Sequence, residues 1–306
     1  MKYNQALSAN GGSRHSNIVT FALTAVLSAT LAFCVTANAE TIKVVKESSY
    51  TATRLDDQGT SRIHAMYQGR RLLVQEVADK IQPMLKDGGA AFGKTPEEAK
   101  EEILNLTAGA IVADVTDDKW DETAYYVKMT AVVDFKEAAE SVEKFRLNGE
   151  RKRVLDDLRV REDAVAKKID RLLAKNKKEI KPDYMAQMEI LSSLEWFARG
   201  MGFLGKKNFD QAAFAFDFTT KRDPDNMNGW EMQGWALFEL GYYAKAIGKF
   251  ETVLKLNPKF AKAYEGIGFS WGELGDLNQQ VDNLRIAAKL GDKRAQDFLN
   301  EKTLTW

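Results

Sequence analysis

One cysteine, two histidines and five prolines in 306 residues leave this chain short of ingredients for several kinds of chemistry. Cys34 and His15 both fall in the first 39 residues, so everything after them holds His64 and no thiol. Disulfides, thiolate nucleophiles, cysteine–zinc sites and histidine clusters are excluded there by inventory, and nothing in the pattern asks for a cofactor or a metal. An excess of charge is missing as well. The 44 Lys and Arg balance 44 Asp and Glu, which gives no reason to expect nucleic acid as a partner. What the chain does have is 44% hydrophobic residues, enough to build packed cores.

Lys2 and Arg14 precede an uncharged run from Ile18 to Ala37, and Ala37-Asn38-Ala39 places small residues where a signal peptidase needs them. The pattern predicts a signal peptide over residues 1–39, cleaved after Ala39, and a periplasmic protein. The run is also long enough to remain as a membrane anchor. Cys34 fits lipidation poorly, because Phe33 stands where a small residue is required.

The C-terminal third repeats itself. A spacing of 34 aligns Trp196, Trp230 and Tyr264, then Gly200, Gly234 and Gly268. It also aligns Ala212 with Ala246, Phe216 with Phe250 and Leu284, and Pro224 with Pro258. Within each copy, apolar residues recur at helical spacing, a break follows, and a second apolar stripe runs to the proline. Each copy is therefore a helical hairpin. Gly234 lacks a Cβ where the two helices should approach most closely, with Ala246 as the small residue expected opposite. Gln280 replaces the alanine in the third copy, which predicts a looser terminal hairpin, covered by a further helix over Lys293 to Glu301. Hairpins of this size must stack to cover their apolar faces, and about three is the smallest stable number.

The segments 196-WFARGMGFLGKKNFDQAAFAFDFTTKRDP, 230-WEMQGWALFELGYYAKAIGKFETVLKLNP and 264-YEGIGFSWGELGDLNQQVDNLRIAAKLGD resemble the tetratricopeptide repeat family over roughly Ser193 to Asp292. The resemblance implies a solenoid whose first helices line an inner groove. It places Phe197, Met201 and Leu204 there in the first copy, then Glu231, Trp235, Phe238 and Glu239 in the second, and Glu265, Phe269 and Glu273 in the third. Apolar surface flanked by carboxylates suits a peptide or helix with apolar and basic side chains. In the competing reading, Trp235 and Phe269 pack on neighbouring helices and the chain fills its own groove. Equivalent tryptophans, Trp196 and Trp230, should occupy like environments.

Residues 40–144 read as a small α+β unit. Thr41 to Leu55 is a strand candidate, Thr60 to Leu85 a helix, and Thr95-Pro96-Glu97-Glu98 a capped helix start. Ala110 to Val115 and Thr123 to Phe135 read as strands, the second alternating Tyr125, Val127, Met129, Ala131 and Val133 with more polar neighbours. The helix 69-GRRLLVQEVADKI and the hairpin 111-IVADVTDDKWDETAYYVKMTAVVDF resemble, in order and texture, the N-terminal domain of periplasmic flagellar assembly protein T and related outer-membrane lipoproteins. The resemblance implies an envelope interaction module. The acidic hairpin tip lacks the Gly and Glu of a calcium loop and reads as a solvated turn, and His64 reads as a partly covered surface residue.

Between the modules, residues 145–182 form a charged connector. Asn148-Gly149 breaks one helix, and Leu155, Leu158, Val165, Ile169 and Leu172 of the next make a narrow seam interrupted by Glu162. Such a seam can pack on the first hairpin or pair with a second copy through residues 150–178. The whole reads as a small α+β domain followed by an all-α solenoid of three hairpins and a capping helix over 183–306. The function expected is that of a non-catalytic adaptor binding a protein or peptide of an envelope complex. The alternatives are a self-assembling envelope component and, least supported, an envelope enzyme.

Overall fold

The computed structural model describes residues 41–175 and 178–306. The leader reading of residues 1–39 lies outside them. The described chain opens with strand β1 (Thr41–Thr51), helix α1 (Gln58–Ile81), helix α2 (Pro96–Ala108) and strands β2 (Asp114–Trp120) and β3 (Ala124–Asp134). The sheet order is β1-β3-β2, antiparallel throughout. Tyr125, Val127, Met129, Ala131 and Val133 are all buried, while Tyr126 and Val132 face solvent, so the alternation in β3 marks the covered face correctly. The cover is α1. It comes so close at Gly69 that an added methyl would sit 3.1 Å from Met129 Sδ and 3.3 Å from Ser48 Cβ.

The ends of elements differ from the sequence reading for local reasons. β1 stops at Thr51 and α1 begins at Gln58, because Asp57 accepts from Thr60 N (2.8 Å) while Thr60 Oγ1 accepts from Asp57 N (2.9 Å), a reciprocal cap. α1 ends at Ile81 rather than Leu85, with Pro83 just beyond. Thr95 caps α2 as expected, but Glu98 accepts from Lys94 N (2.8 Å) rather than closing onto Thr95. The larger error is β2. Ala110, Ile111 and Val112 are apolar because they form a buried loop, not a strand, and β2 proper is the exposed edge segment that follows.

Helices α3 (Phe135–Leu147) and α4 (Gly149–Lys175) flank the Asn148-Gly149 break. Val154, Leu155, Leu158, Val165, Ile169 and Leu172 of α4 are each at most 8% exposed. The seam is thus spent inside the chain, which removes it as a surface for pairing two copies through residues 150–178. The hairpins follow as α5 (Lys181–Gly205) with α6 (Phe209–Arg222), α7 (Met227–Glu239) with α8 (Tyr243–Leu256), and α9 (Ala261–Glu273) with α10 (Leu277–Lys289). Helix α11 (Lys293–Glu301) closes the stack, burying Ala295 and Leu299 with Phe298 packed beside them. One continuous cluster of buried side chains runs from the sheet through α4 and α5 as far as Ala236 in α7. Among the described residues, no helix is long and apolar enough to cross a membrane.

The 34-residue period is a packing period. A methyl added at Gly200 would lie 2.6 Å from Phe216, at Gly234 2.7 Å from Phe250, and at Gly268 2.8 Å from Leu284. The partner of Gly234 is therefore the ring of Phe250, not Ala246 as the sequence reading had it; Ala246 is itself fully buried. Gln280 does not loosen the third hairpin. Its side chain lies over Gly272, and the same pair of positions holds Leu204 with Ala212 and Phe238 with Ala246, so bulk has moved from the first helix to the second. Pro224 and Pro258 serve twice, each carbonyl accepting from the aromatic six residues on: Trp230 Nε1 at 2.8 Å and Tyr264 OH at 3.3 Å.

Candidate functional site

The inner face is lined by α5, α7 and α9, and its three segments have different fates. In the first, Phe197, Met201 and Leu204 are only 2, 1 and 8% exposed. They are not groove residues. The chain before α5 covers this helix: a methyl at Gly202 would strike the carbonyl of Ile111, and one at Gly205 would lie 3.3 Å from Phe145.

Beneath this junction sits a buried ion network. Arg70 on α1 donates from Nε to both oxygens of Glu195 on α5 (2.9 Å each) and from Nη2 to Glu162 on α4. Glu162 is thus the reason the α4 seam is interrupted. Burial pushes its carboxyl up, and Arg70 opposes that. A second network holds His64, which the sequence reading placed near the surface. His64 is buried, stacks on Tyr50 at 4.1 Å and lies 2.9 Å from Tyr184 OH, which in turn bonds Asp56. Burial lowers the imidazole pKa despite Asp56 and Asp170. A cavity of about 290 Å³ between α1, the sheet and α5 touches neither His64 nor Tyr184, and each arginine in its wall is tied to an acid, as Arg62 is to Asp118 (2.6 Å).

In the second and third segments α4 reaches across the inner face. Arg153 donates to Asn228 Oδ1 (3.2 Å) and Glu231 Oε2 (3.1 Å), and Asn228 returns a bond to Asp157 (2.7 Å). Lys262 joins Glu150 of α4 (3.1 Å) to Glu265 (2.7 Å) and Asp292 (3.0 Å). Glu231 and Glu265, one period apart, are both fully buried and so meet cations from this chain rather than from a ligand. Burial pushes the Glu231 carboxyl up to about 8, against the pull of Arg153. Glu265 is also raised by burial, opposed by Lys262.

What remains open is a shelf. Trp235 packs edge-on to Phe250 (5.1 Å) and Phe238 (5.7 Å), and Phe269 to Phe298 (5.6 Å). The exposed Arg294 guanidinium lies 4.4 Å above Phe269 and 5.8 Å from Trp235. Glu239 and Glu273 are exposed at its edge. The inner face is therefore partly filled by the chain, with one aromatic, charge-rimmed portion left.

Residues 228–260 match the tetratricopeptide repeat family model, and they span α7 and α8. The second hairpin thus matches the tetratricopeptide repeat, and the first and third share its 34-residue skeleton. Protein bimA of Emericella nidulans is similar at 26% identity over 123 residues, 39% of this chain and 15% of its own, so this chain spans only a small part of that relative. Among solved structures, MamA MSR-1 C2 is similar at 16% identity and a TM-score of 0.33, over 78% of this chain and 96% of its own. MamA AMB-1 P212121 is similar at 18% and 0.32, over 78% and 91%. Repeats of this kind are protein-interaction scaffolds, and the open shelf lies on the second and third of them.

The sequence found the repeat skeleton and half of the inner face. It missed the α4 strap, in which Arg153 meets the buried Glu231 and Glu150 meets the Lys262 that also holds the buried Glu265. The acidic hairpin tip gathers no common centre, since Asp118 pairs with Arg62, Asp114 with Arg199, and Asp121 caps its own turn at Thr123 and Ala124.

Proposed function

We propose that the protein is a non-catalytic scaffold of the cell envelope, exported by cleavage after Ala39, that holds a protein segment on the shelf of its second and third repeats. The observation that carries the reading is the half-buried cluster of Trp235, Phe238 and Phe269, with Arg294 over Trp235 and Phe269, where the rest of the inner face is closed. Aromatic anchors beside one exposed cation and the carboxylates of Glu239 and Glu273 suit a segment with an apolar side chain between charges of both signs. The weak likeness of the N-terminal unit to envelope interaction modules agrees with that setting.

The test is capture from envelope extract on immobilised protein. A partner retained by the parent should be lost from Trp235→Ala/Phe269→Ala while circular dichroism is unchanged. Equal retention by the variant moves the site off the inner face. N-terminal sequencing of the chain recovered from a periplasmic fraction should begin at Glu40.

A further inference from the structure

Trp196 and Trp230 share a repeat position, but contrary to the expectation from the repeat they do not share neighbours. In the first repeat the chain fills the site itself: Phe218 stacks on Trp196 at 4.7 Å and Phe214 meets it edge-on at 6.1 Å. Cations cover these rings, Arg199 over Trp196 (5.5 Å) and Arg222 over Phe218 (5.2 Å). One period later, Gly248 stands for Phe214 and Thr252 for Phe218. Trp230 is retained, and so is a cation, with Lys249 Nζ 4.8 Å from its ring. Where the two phenyl rings would be there is an open depression of about 580 Å³ between α7 and α8. It lies along the stripe of α7 that carries Trp230, Gln233 and Leu237, apart from the inner stripe of Glu231, Trp235 and Phe238.

A second observation is independent of the repeat comparison. Gln233, in the wall of the depression, is 4% exposed; its Nε2 donates to Asp217 (3.3 Å), which fixes the amide orientation. The Gln233 Oε1 is left buried with no hydrogen-bond partner. A buried acceptor left unmet is costly and marks this wall as imperfectly packed. The rim is cationic. Neither Lys245 nor Lys249 has an ion-pair partner among the described residues.

We propose that this depression is a docking site for an aromatic side chain carried on an acidic segment of a partner protein. The ring stacks on Trp230 as Phe218 does on Trp196, and the flanking carboxylates meet Lys245 and Lys249. This site is separate from the inner-face shelf.

The test is fluorescence anisotropy with a dye-labelled Asp-Glu-Phe-Asp-Glu peptide at low salt. Saturable binding is expected, weakened about tenfold or more when Ala replaces the central Phe. Gly248→Phe/Thr252→Phe rebuilds the first repeat's own filling and should abolish binding. An added Cβ at Gly248 meets nothing within 4 Å, so the fold accepts the change, and an unaltered unfolding midpoint verifies it. Lys245→Glu/Lys249→Glu, a surface change, should also abolish binding, whereas Trp235→Ala/Phe269→Ala should leave it intact. Absence of saturable binding to the parent, equal affinity for the Ala peptide, or unchanged affinity in Gly248→Phe/Thr252→Phe overturns the proposal.

Discussion

The first repeat and the second share a skeleton of Trp, Gly, Ala, Phe and Pro, yet almost everything around that skeleton differs. In the first, the inner residues Phe197, Met201 and Leu204 are buried, the preceding chain packs on α5 at Gly202 and Gly205, and the opposite stripe is filled by Phe214 and Phe218. In the second, the inner face is crossed only by charged bonds from α4, leaving Trp235 and Phe238 at a shelf, and the opposite stripe stands open at Gly248. The periodic residues hold a hairpin together; the residues between them decide whether its surfaces face the chain or a partner.

The contrast can be broken most severely at Arg70. Arg70→Met leaves Glu162 and Glu195 buried without their cation, and urea unfolding should show a loss of about 3–5 kcal/mol. Hydrogen exchange should rise first in α1 and α5 rather than in α9 and α10. Uniform loosening would mean the first repeat is no more tied to the N-terminal unit than the third. Next in size is a pair of glycines on the two helices of the second hairpin. Gly234→Leu drives a side chain into the Phe250 ring and should cost about 1–3 kcal/mol, while Gly248→Leu enters open space and should stay within about 0.5 kcal/mol. Similar costs at both would erase the distinction between packed and open stripes.

A smaller effect sharpens the comparison through pH. Glu231 has a folded pKa raised to about 8 from 4.5, so the folded state holds its proton where the unfolded chain has released it. That group therefore makes stability fall as pH rises from about 4.5 to 8. Glu231→Gln should gain on the parent across this window, seen as a widening difference in Tm between pH 5 and pH 8. A constant difference would show that Arg153 keeps the carboxylate ionised throughout.

Much of this was legible in the sequence because it is local or periodic. Gly200, Gly234 and Gly268 announced close contacts, Lys293 to Glu301 read as the closing helix, and the alternation of β3 marked its buried face. The failures share a cause. Ala110 to Val112 are apolar because α5 lies over them, and Phe197 is apolar because it packs on Phe216 of its own hairpin; composition records that a residue is covered but not by what. Arg153 and Glu231 are 78 residues apart, and no spacing rule joins them. His64 looked solvent-facing because its partners, Tyr50 and Tyr184, come from a strand and from a helix 120 residues away.

The central claim is that the chain itself closes the inner face of the first repeat and leaves that of the second partly open. Cysteine labelling tests it directly, since in Cys34→Ser no thiol remains. Single cysteines at Met201 and Glu239 should then react with a maleimide at very different rates, position 239 freely and position 201 only as fast as the protein unfolds. Comparable rates at the two positions in the folded protein would contradict the account.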